Sequence, residues 1–165
     1  MEKIYMKRLK EVQNDKKELE EKLNVSIKII GRNVVFEGPS IDEYEATLIF
    51  EAIEFGFSVK KALQLKNEEM MFKKIHIKEH TKRNLTDILS RLIGTEGKTK
   101  RIIEDISGCF LVIKEGEVGI IGDGEAIEAA TMAIINLIKG SKQSNIYRYL
   151  ERSNSDKKEI SRELK

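Results

Sequence analysis

The sequence predicts an α+β protein built from two related units in tandem. Three observations indicate this: strand and helix patterns alternate along the chain, a 19-residue block recurs at a fixed offset, and glycines bound both copies of that block. With 165 residues, of which 40% are hydrophobic and 35% charged, the chain is long enough for one ordinary domain or two small ones.

The second half of the chain has the clearer pattern. FKKIHIK (72–78) alternates apolar and polar residues and predicts a strand. Two helices follow, one ending at Gly94 and one running from Gly97 to a glycine stop at Gly108. CFLVI and EVGII predict a β-hairpin, and Glu125–Lys139 predicts a closing helix. The predicted order is strand, helix, glycine loop, helix, strand, strand, helix.

The first half repeats the later part of this pattern at an offset of 84 residues. Gly38–Gly56 aligns with Gly122–Gly140 without a gap, and VSIKII and NVVFEG align with the two hairpin strands. An internal duplication is the economical explanation. The copies differ at one place, because lysine and glutamine stand where the second copy has Gly94 and Gly97. The first copy therefore lacks the glycine loop, and it is also shorter at its front.

These patterns divide the chain into four predicted segments. SVKKALQLKNEE (58–69) contains no Gly or Pro and predicts a linker helix instead of a flexible tether. The final SDKKEISRELK is charged and carries little apolar content, so we expect a frayed helix or a disordered end. The segments are a first unit without the loop (1–57), a linker helix (58–71), a unit with the loop (72–152) and a charged tail (153–165).

The composition argues against several classes of site. A single cysteine, Cys109, cannot form an internal disulfide and is expected in the core, while two histidines cannot supply a zinc-ligand set. His76 is expected to be a solvated strand residue. Adjacent acidic residues on the predicted helices diverge by about 100°, so they cannot act together on one substrate. We therefore expect no enzyme, no metal and no cofactor.

The start of the chain and its hydropathy indicate where in the cell the protein is expected. No apolar run approaches the roughly 20 residues of a membrane-spanning helix, and the charged start lacks the apolar core of a secretory signal. We expect a cytoplasmic protein without membrane association. Residues 1–71 carry 12 basic and 14 acidic side chains, whereas residues 72–152 carry 14 and 11. A polyanion partner would therefore need a focused patch on the second half.

The glycine loop is the candidate binding site. Gly97-Lys98-Thr99 looks like the end of a nucleotide phosphate loop. That motif, however, needs a glycine five positions before Gly97 and a strand directly before the loop, whereas this chain has Leu92 at that position, on a predicted helix. Two helices joined by G-x-x-G fit a clamp on a sugar–phosphate backbone, because glycines permit close approach and the second helix starts at the phosphates. This is the KH mode of binding single-stranded nucleic acid. The motif alone also fits a simple helix–turn–helix connection.

The predicted contacts form one run through the loop. Basic side chains before and after it supply mobile positive charge, and an apolar groove between the first helix and the sheet edge would receive bases. We expect Leu89, Leu92, Ile93 and Ile102 to line that groove, and one residue of the pair Ile102 and Ile103 to face RNA. The predicted RNA-binding residues are Arg91, Leu92, Ile93, Gly94, Thr95, Glu96, Gly97, Lys98, Thr99, Lys100, Arg101 and Ile102. Tyr147 and Tyr149 could stack on bases or pack the C-terminal segment.

The run L-I-G-T-E-G-K-T-K-R-I-I-E-D-I-S-G, followed by a hairpin, a long helix and Y-R-Y-L-E-R, resembles the archaeal KH-domain ribosome-assembly factors of the Pno/Dim type (partner of Nob-one). G-F-S-V-K-K-A-L (56–63) also looks like that family's G-F-S-x-x-x-A-L segment. The resemblance covers residues 1 to about 152. It implies two tandem KH-like units in the eukaryotic-type order, strand-helix-helix-strand-strand-helix, of which the first is degenerate and lacks the GXXG loop.

The same resemblance implies a function. The protein would be a small ribosomal subunit assembly factor that binds single-stranded RNA, the 3′ end of the small-subunit rRNA, through its second KH unit. The rRNA-trimming endonuclease and the α subunit of archaeal initiation factor two would be its protein partners. The family usually carries Lys or Gly inside the loop, whereas this chain has Thr95 and Glu96. A carboxylate there should weaken phosphate binding by about 1 kcal/mol. The alternative is a protein-interaction adaptor with a vestigial KH loop.

Overall fold

The computed structural model describes the backbone of residues 1–163 and the side chains of these residues apart from 157–161. The fold is α+β, as predicted, with two three-stranded sheets. By its contacts the chain divides into two compact units, Met1–Met70 and the residues from Met71 onward. No helix in the described part of the chain is long and apolar enough to cross a membrane.

The first unit contains one sheet, in the strand order β1-β3-β2, with helices packed on it. A short helix and a 3₁₀ turn at 63–66 follow its long helix. Its elements are β1 (Glu2–Tyr5), α1 (Leu9–Asn14), α2 (Lys16–Leu23), β2 (Ser26–Ile30), β3 (Asn33–Glu37), α3 (Ser40–Phe55) and α4 (Val59–Ala62).

The second unit has the corresponding strand order, β4-β6-β5, and adds a long C-terminal helix. That helix packs on α6 and α7 and contributes Ile146 and Leu150 to the core of this unit. Its elements are β4 (Met70–His76), α5 (Leu85–Ile93), α6 (Lys98–Ser107), β5 (Phe110–Lys114), β6 (Glu117–Asp123), α7 (Gly124–Lys139) and α8 (Gln143–Glu163).

The offset of 84 residues that the sequence suggested also relates the backbones of the two units. The hairpins share one register: Ile27 lies opposite Phe36 in the first, and Leu111 lies opposite Ile120 in the second. The helices α3 and α7 that follow the hairpins each contain 16 residues and start at the same offset.

Side-chain contacts recur at the same offset. Glu20 accepts a hydrogen bond from the backbone N–H of Ile27 (3.0 Å), and Glu104 accepts one from Leu111 (3.1 Å). The glycine at the end of each hairpin, Gly38 or Gly122, also lies close to a residue at the start of that hairpin. A Cβ added to Gly38 would lie 2.9 Å from a Val25 methyl carbon, and one added to Gly122 would lie 2.5 Å from the Cys109 sulfur. Residues 84 positions apart therefore make equivalent contacts in the two units.

The units differ where their first two helices meet. In the first unit only Asp15, with φ −110° and ψ 20°, separates α1 from α2. In the second unit four residues, 94–97, separate α5 from α6, and three of them have positive φ. The open loop is thus confined to the second unit.

The predicted linker helix is wrong in its length. Helical structure in this segment ends at Lys66, and β4 already begins at Met70. The cause is Asn67, whose side-chain oxygen accepts a hydrogen bond from Glu69 N–H (3.0 Å) while its carbonyl accepts one from Met70 N–H (3.0 Å). This local turn redirects the chain into the strand, and the helical pattern alone gave no sign of it.

Two other predicted boundaries move. The strand predicted at 72–78 lies at Met70–His76, and a 3₁₀ turn (Ile77–Glu79) follows it. The predicted charged tail is helical as far as Glu163, because α8 runs on from Gln143 without a break. Residues 164 and 165 of that tail lie outside the described part of the chain. Cys109 is buried and His76 is exposed, as predicted.

Candidate nucleic-acid interface

Three of the four residues in the loop between α5 and α6 have positive φ. Gly94 has φ 75° and ψ 176°, Glu96 has φ 55° and ψ 29°, and Gly97 has φ 76° and ψ 15°. Only glycine adopts such angles at little cost, and a glutamate there is strained by roughly 1 kcal/mol. The chain therefore forms a tight bend between two helices.

The two glycines of this bend serve different purposes. A Cβ on Gly94 would lie 2.3 Å from the Thr99 hydroxyl and 2.7 Å from the Thr99 nitrogen, so the bend closes only without a side chain here. A Cβ on Gly97 would meet nothing within 4 Å. Gly94 is thus required by internal packing, whereas Gly97 leaves an outward surface bare for a ligand.

The backbone amides of the loop are only partly available. Gly94 N–H donates to Ser90 O (2.9 Å), Gly97 N–H donates to Gly94 O (3.2 Å), and Lys98 N–H donates to Thr95 O. Within residues 1–163, no acceptor receives the amide hydrogens of Thr95 and Glu96. Two loop amides, not the whole run from 94 to 98, are therefore free to bind an anion.

The positive charge around the loop is uneven. Lys98 and Arg101 are exposed at the start of α6, where the unpaired amides of the helix also favour an anion. Lys100 is half-buried, and its ammonium lies 3.8 Å from the Glu104 carboxylate. Lys98 and Arg101 are thus the basic side chains best placed to meet a phosphate from solvent.

Arg91 does not supply the mobile charge that the sequence suggested. Its guanidinium donates a hydrogen bond to the backbone oxygen of Ser141, in the turn between α7 and α8. Its Nε is buried and has no acceptor among the described residues. The turn before α8 thus fixes the Arg91 side chain, through a contact between residues 50 positions apart in the chain.

The apolar residues before and after the loop divide between core and surface. Leu92 and Ile103 are buried in the core, with 2% and 1% of their surface exposed, so the prediction that Leu92 lines a groove is wrong. Ile93 is 39% exposed and Ile102 is half-buried. Thr99 is also buried, since its hydroxyl packs against Gly94 and accepts a hydrogen bond from Gln143 (3.2 Å).

Two depressions meet at the loop, and no residue of β5 lines either of them. The groove at the sheet edge stays a prediction. The α5 depression lies on the outer side of that helix. Its lining residues are Thr86, Leu89, Ser90, Ile93, Gly94 and Thr95. The α8 depression lies between the loop and α8, and its lining residues are Ser90, Arg91, Gly94, Thr95, Lys98, Thr99, Ile102, Gln143 and Tyr147.

The α8 depression contains one residue that sequence reasoning missed, Gln143, and one whose role it left open, Tyr147. Gln143 and Tyr147 come from a helix that begins 46 positions after Gly97, and no spacing rule connects them with the loop. The one signal in the sequence was the aromatic pair Tyr147 and Tyr149, which was compatible with packing as well as with stacking. The structure separates the pair, because Tyr147 lines the depression and Tyr149, 38% exposed, does not.

Residues 71–155 match the family of the second KH domain of PNO1, described as a eukaryotic type KH domain (KH-domain type I). A KH domain-containing protein of Methanocaldococcus jannaschii is 29% identical over 147 residues, which are 84% of this chain and 65% of that protein. The pre-rRNA-processing protein PNO1 of Candida albicans is 29% identical over 101 residues, 59% of this chain and 37% of that one. The chain thus spans less than two thirds of these relatives.

Solved structures are similar over almost the whole chain. A protein from Pyrococcus horikoshii, solved in an a/eIF2alpha–aDim2p–rRNA complex, superposes with a TM-score of 0.80 and 30% identity, covering 94% of each chain. A protein of unknown function from Aeropyrum pernix superposes with a TM-score of 0.84 and 27% identity, covering 98% of this chain and 94% of that one.

Proposed function

Because this chain belongs to the PNO1-type family of KH-domain proteins, we propose that it binds single-stranded RNA and assists small ribosomal subunit assembly. The RNA would be the 3′ end of the small-subunit rRNA. The P. horikoshii relative occurs in a complex with rRNA, and the C. albicans relative is a pre-rRNA-processing protein. We place this activity in the cytoplasm, and no catalytic step is part of it.

The observation that carries the proposal is the outward side of the loop. Gly97 faces open space, the amides of Thr95 and Glu96 have no acceptor in the described part of the chain, and α6 starts directly behind them with Lys98. A phosphate placed there would accept hydrogen bonds from backbone donors and meet the positive end of a ten-residue helix. Arg101, one turn on and exposed, would meet a neighbouring phosphate.

The bases would then lie on the α5 side of the loop. Leu89 and Ile93 line the α5 depression, and Ile93 is already 39% exposed. An unstacked base can cover apolar surface of this kind, and the loop then positions the backbone that carries it. The mechanism is positional: the protein holds a single strand in one conformation.

We further propose that the two units are tandem KH-like units, the domain at 72–152 carrying the loop and the segment 1–57 being a degenerate copy. The shared strand order, the common hairpin register and the contacts that recur at an offset of 84 residues support this. The first unit would serve protein partners. The α subunit of initiation factor two is the better supported one, since the P. horikoshii relative is found with a/eIF2alpha, whereas the endonuclease rests on the family resemblance alone.

A substitution at Gly97 tests RNA binding. Gly97→Asp would place a carboxylate on the phosphate surface, so we expect it to abolish binding of a short oligonucleotide with the 3′-terminal rRNA sequence. Wild-type binding should weaken linearly in log affinity against log salt, with a slope of a few counterions. Titration by fluorescence anisotropy at several salt concentrations measures both effects.

Gly108→Asp is the matched control. Gly108 has φ 72° and ψ 12°, almost the angles of Gly97, and a Cβ there also meets nothing within 4 Å. It lies at the far end of α6, roughly 16 Å away along the helix. The control should bind as the wild type does. Equal binding by Gly97→Asp and wild type would instead support the adaptor interpretation.

A further inference from the structure

The α8 depression adds side chains with the chemistry of a nucleotide site to the loop residues of the GXXG clamp. It encloses about 490 Å³. Its lining combines two basic side chains, Arg91 and Lys98, with an amide, an aromatic ring and an isoleucine, and none of its lining residues is acidic. In such a set, the basic side chains can bind a phosphate, the amide can hydrogen-bond to the edge of a base, and the aromatic ring can stack on its face.

Arg91 brings a positive charge to this depression. Its guanidinium is oriented by the hydrogen bond to Ser141 O, while its buried Nε finds no acceptor among the described residues. A phosphate in the depression would pair with the positive charge of the guanidinium, which lines the wall.

Tyr147 offers a ring at the same place. Its side chain is half-buried, packed against the core on one side, and lines the depression on the other. Gln143 lies one helical turn before Tyr147 on the same face of α8, so amide and ring face the depression together. A ring held against the core loses little freedom when a base stacks on it.

The wall formed by α8 is tied at two points to the helices that flank the loop. Gln143 donates to the Thr99 hydroxyl (3.2 Å), and Arg91 donates to the carbonyl just before α8. The Thr99 side chain in turn packs against Gly94. The second depression is therefore a fixed feature of the loop's surroundings, which favours preorganised binding.

We propose that the α8 depression binds one further nucleotide of the strand held by the loop, with its phosphate on Arg91 and Lys98 and its base against Tyr147. The inference rests on the proposed function, because it extends the path of the same RNA. The α5 and α8 depressions share Ser90, Gly94 and Thr95 as a common rim, so a strand crossing the loop passes from one directly into the other. The site that results is longer than the GXXG clamp alone.

The test compares Tyr147→Leu with wild type on a ladder of 3′-terminal rRNA oligonucleotides that differ by one nucleotide at either end. Leucine keeps the apolar packing but removes the aromatic face. We expect a roughly 5- to 150-fold rise in Kd on the longer oligonucleotides, the range that one lost base–aromatic stack gives. The rise should vanish when the nucleotide that occupies the depression is removed from the oligonucleotide.

Tyr149→Leu is the control, since Tyr149 is on the same helix, is exposed and does not line the depression. Thermal unfolding should show that both variants are folded. A second measurement uses 5-iodouridine placed at each position in turn: irradiation should crosslink one position to Tyr147 and none to Tyr149.

Three results would overturn the proposal. Tyr147→Leu could bind the whole ladder as wild type does, or lose the same factor on the shortest oligonucleotide as on the longest, or give no crosslink at any position. In each case the proposed function would still hold, provided that the wild type binds the oligonucleotide and that Gly97→Asp abolishes this binding. Failure of the wild type to bind any oligonucleotide would overturn both.

Discussion

At the scale of single residues, the two glycines of the loop have different structural roles. Both glycines have positive φ, yet only Gly94 lies against other atoms of the protein. Glu96 sits between them in a left-handed conformation with its side chain exposed. Conformation and surroundings, rather than residue type, decide what each position contributes.

We expect Gly94→Ala to destabilise the protein more than Gly97→Ala does. Both substitutions should cost about 1–2 kcal/mol because of the positive φ. Gly94→Ala should cost a further ~1–3 kcal/mol, since its methyl group would overlap Thr99. Urea unfolding followed by circular dichroism measures the difference, and equal losses would show that the contact with Thr99 relaxes freely.

Glu96→Lys should tighten RNA binding. The exposed carboxylate lies beside the two free amides, and its repulsion of a phosphate is worth about 1 kcal/mol at ordinary salt, or roughly fivefold in Kd. Glu96→Gln removes the charge without adding one and should fall between wild type and lysine. The gain should shrink as salt rises. Unchanged affinity in both variants would mean that this side chain points away from the RNA.

At the scale of elements, the two units use one device to join helix and sheet. The carboxylates of Glu20 in α2 and Glu104 in α6 each accept a hydrogen bond from an N–H of the strand that follows, β2 or β5. These N–H groups belong to strands at the edge of their sheets. A side chain therefore satisfies a donor that has no neighbouring strand.

Removing either carboxylate should destabilise its unit. We expect Glu104→Ala and Glu20→Ala each to lower the free energy of unfolding by about 1–3 kcal/mol, because a partly buried donor loses a charged acceptor. Asp105→Ala and Glu21→Ala are matched controls, exposed on the same helices. Chemical unfolding of the four variants measures the effect. If the controls lose as much, helix propensity and not the hydrogen bond is responsible.

At the scale of the whole molecule, each unit has its own sheet with one central strand, β3 or β6. A central strand has a hydrogen-bonded neighbour on both sides, and the residues of β6 from 118 to 122 are all buried. Such strands open only when most of the surrounding unit opens.

We therefore expect amide hydrogen exchange to be slowest in β3 and β6. The edge strands and the last turns of α8 should exchange faster, since they can open locally. Exchange followed by mass spectrometry of peptic fragments gives the comparison. Slower exchange in β2 or β5 than in the central strands would contradict it and would indicate that the edges are covered in solution.

Local pattern was sufficient for most elements of this fold. The helices α6 and α7 and the strands of both hairpins lie within a residue or two of their predicted positions, because periodicity and glycine stops are properties of neighbouring residues. The burial of Leu92 beside the exposed Ile93 was not predictable in the same way. Both residues lie on the same turn of α5, and only packing against the core decides which one is enclosed.

The sequence by itself determined the recurring order of elements, the glycine bend and its basic surroundings, since these depend on residue order and short-range conformation. Only the tertiary structure decided that Arg91 is held by Ser141, that the loop has two depressions, and that Tyr147 and Gln143 stand beside it. The physical reason is that α8 reaches the loop through burial of its apolar face, which brings residues distant in the chain together without any sequence spacing to record it.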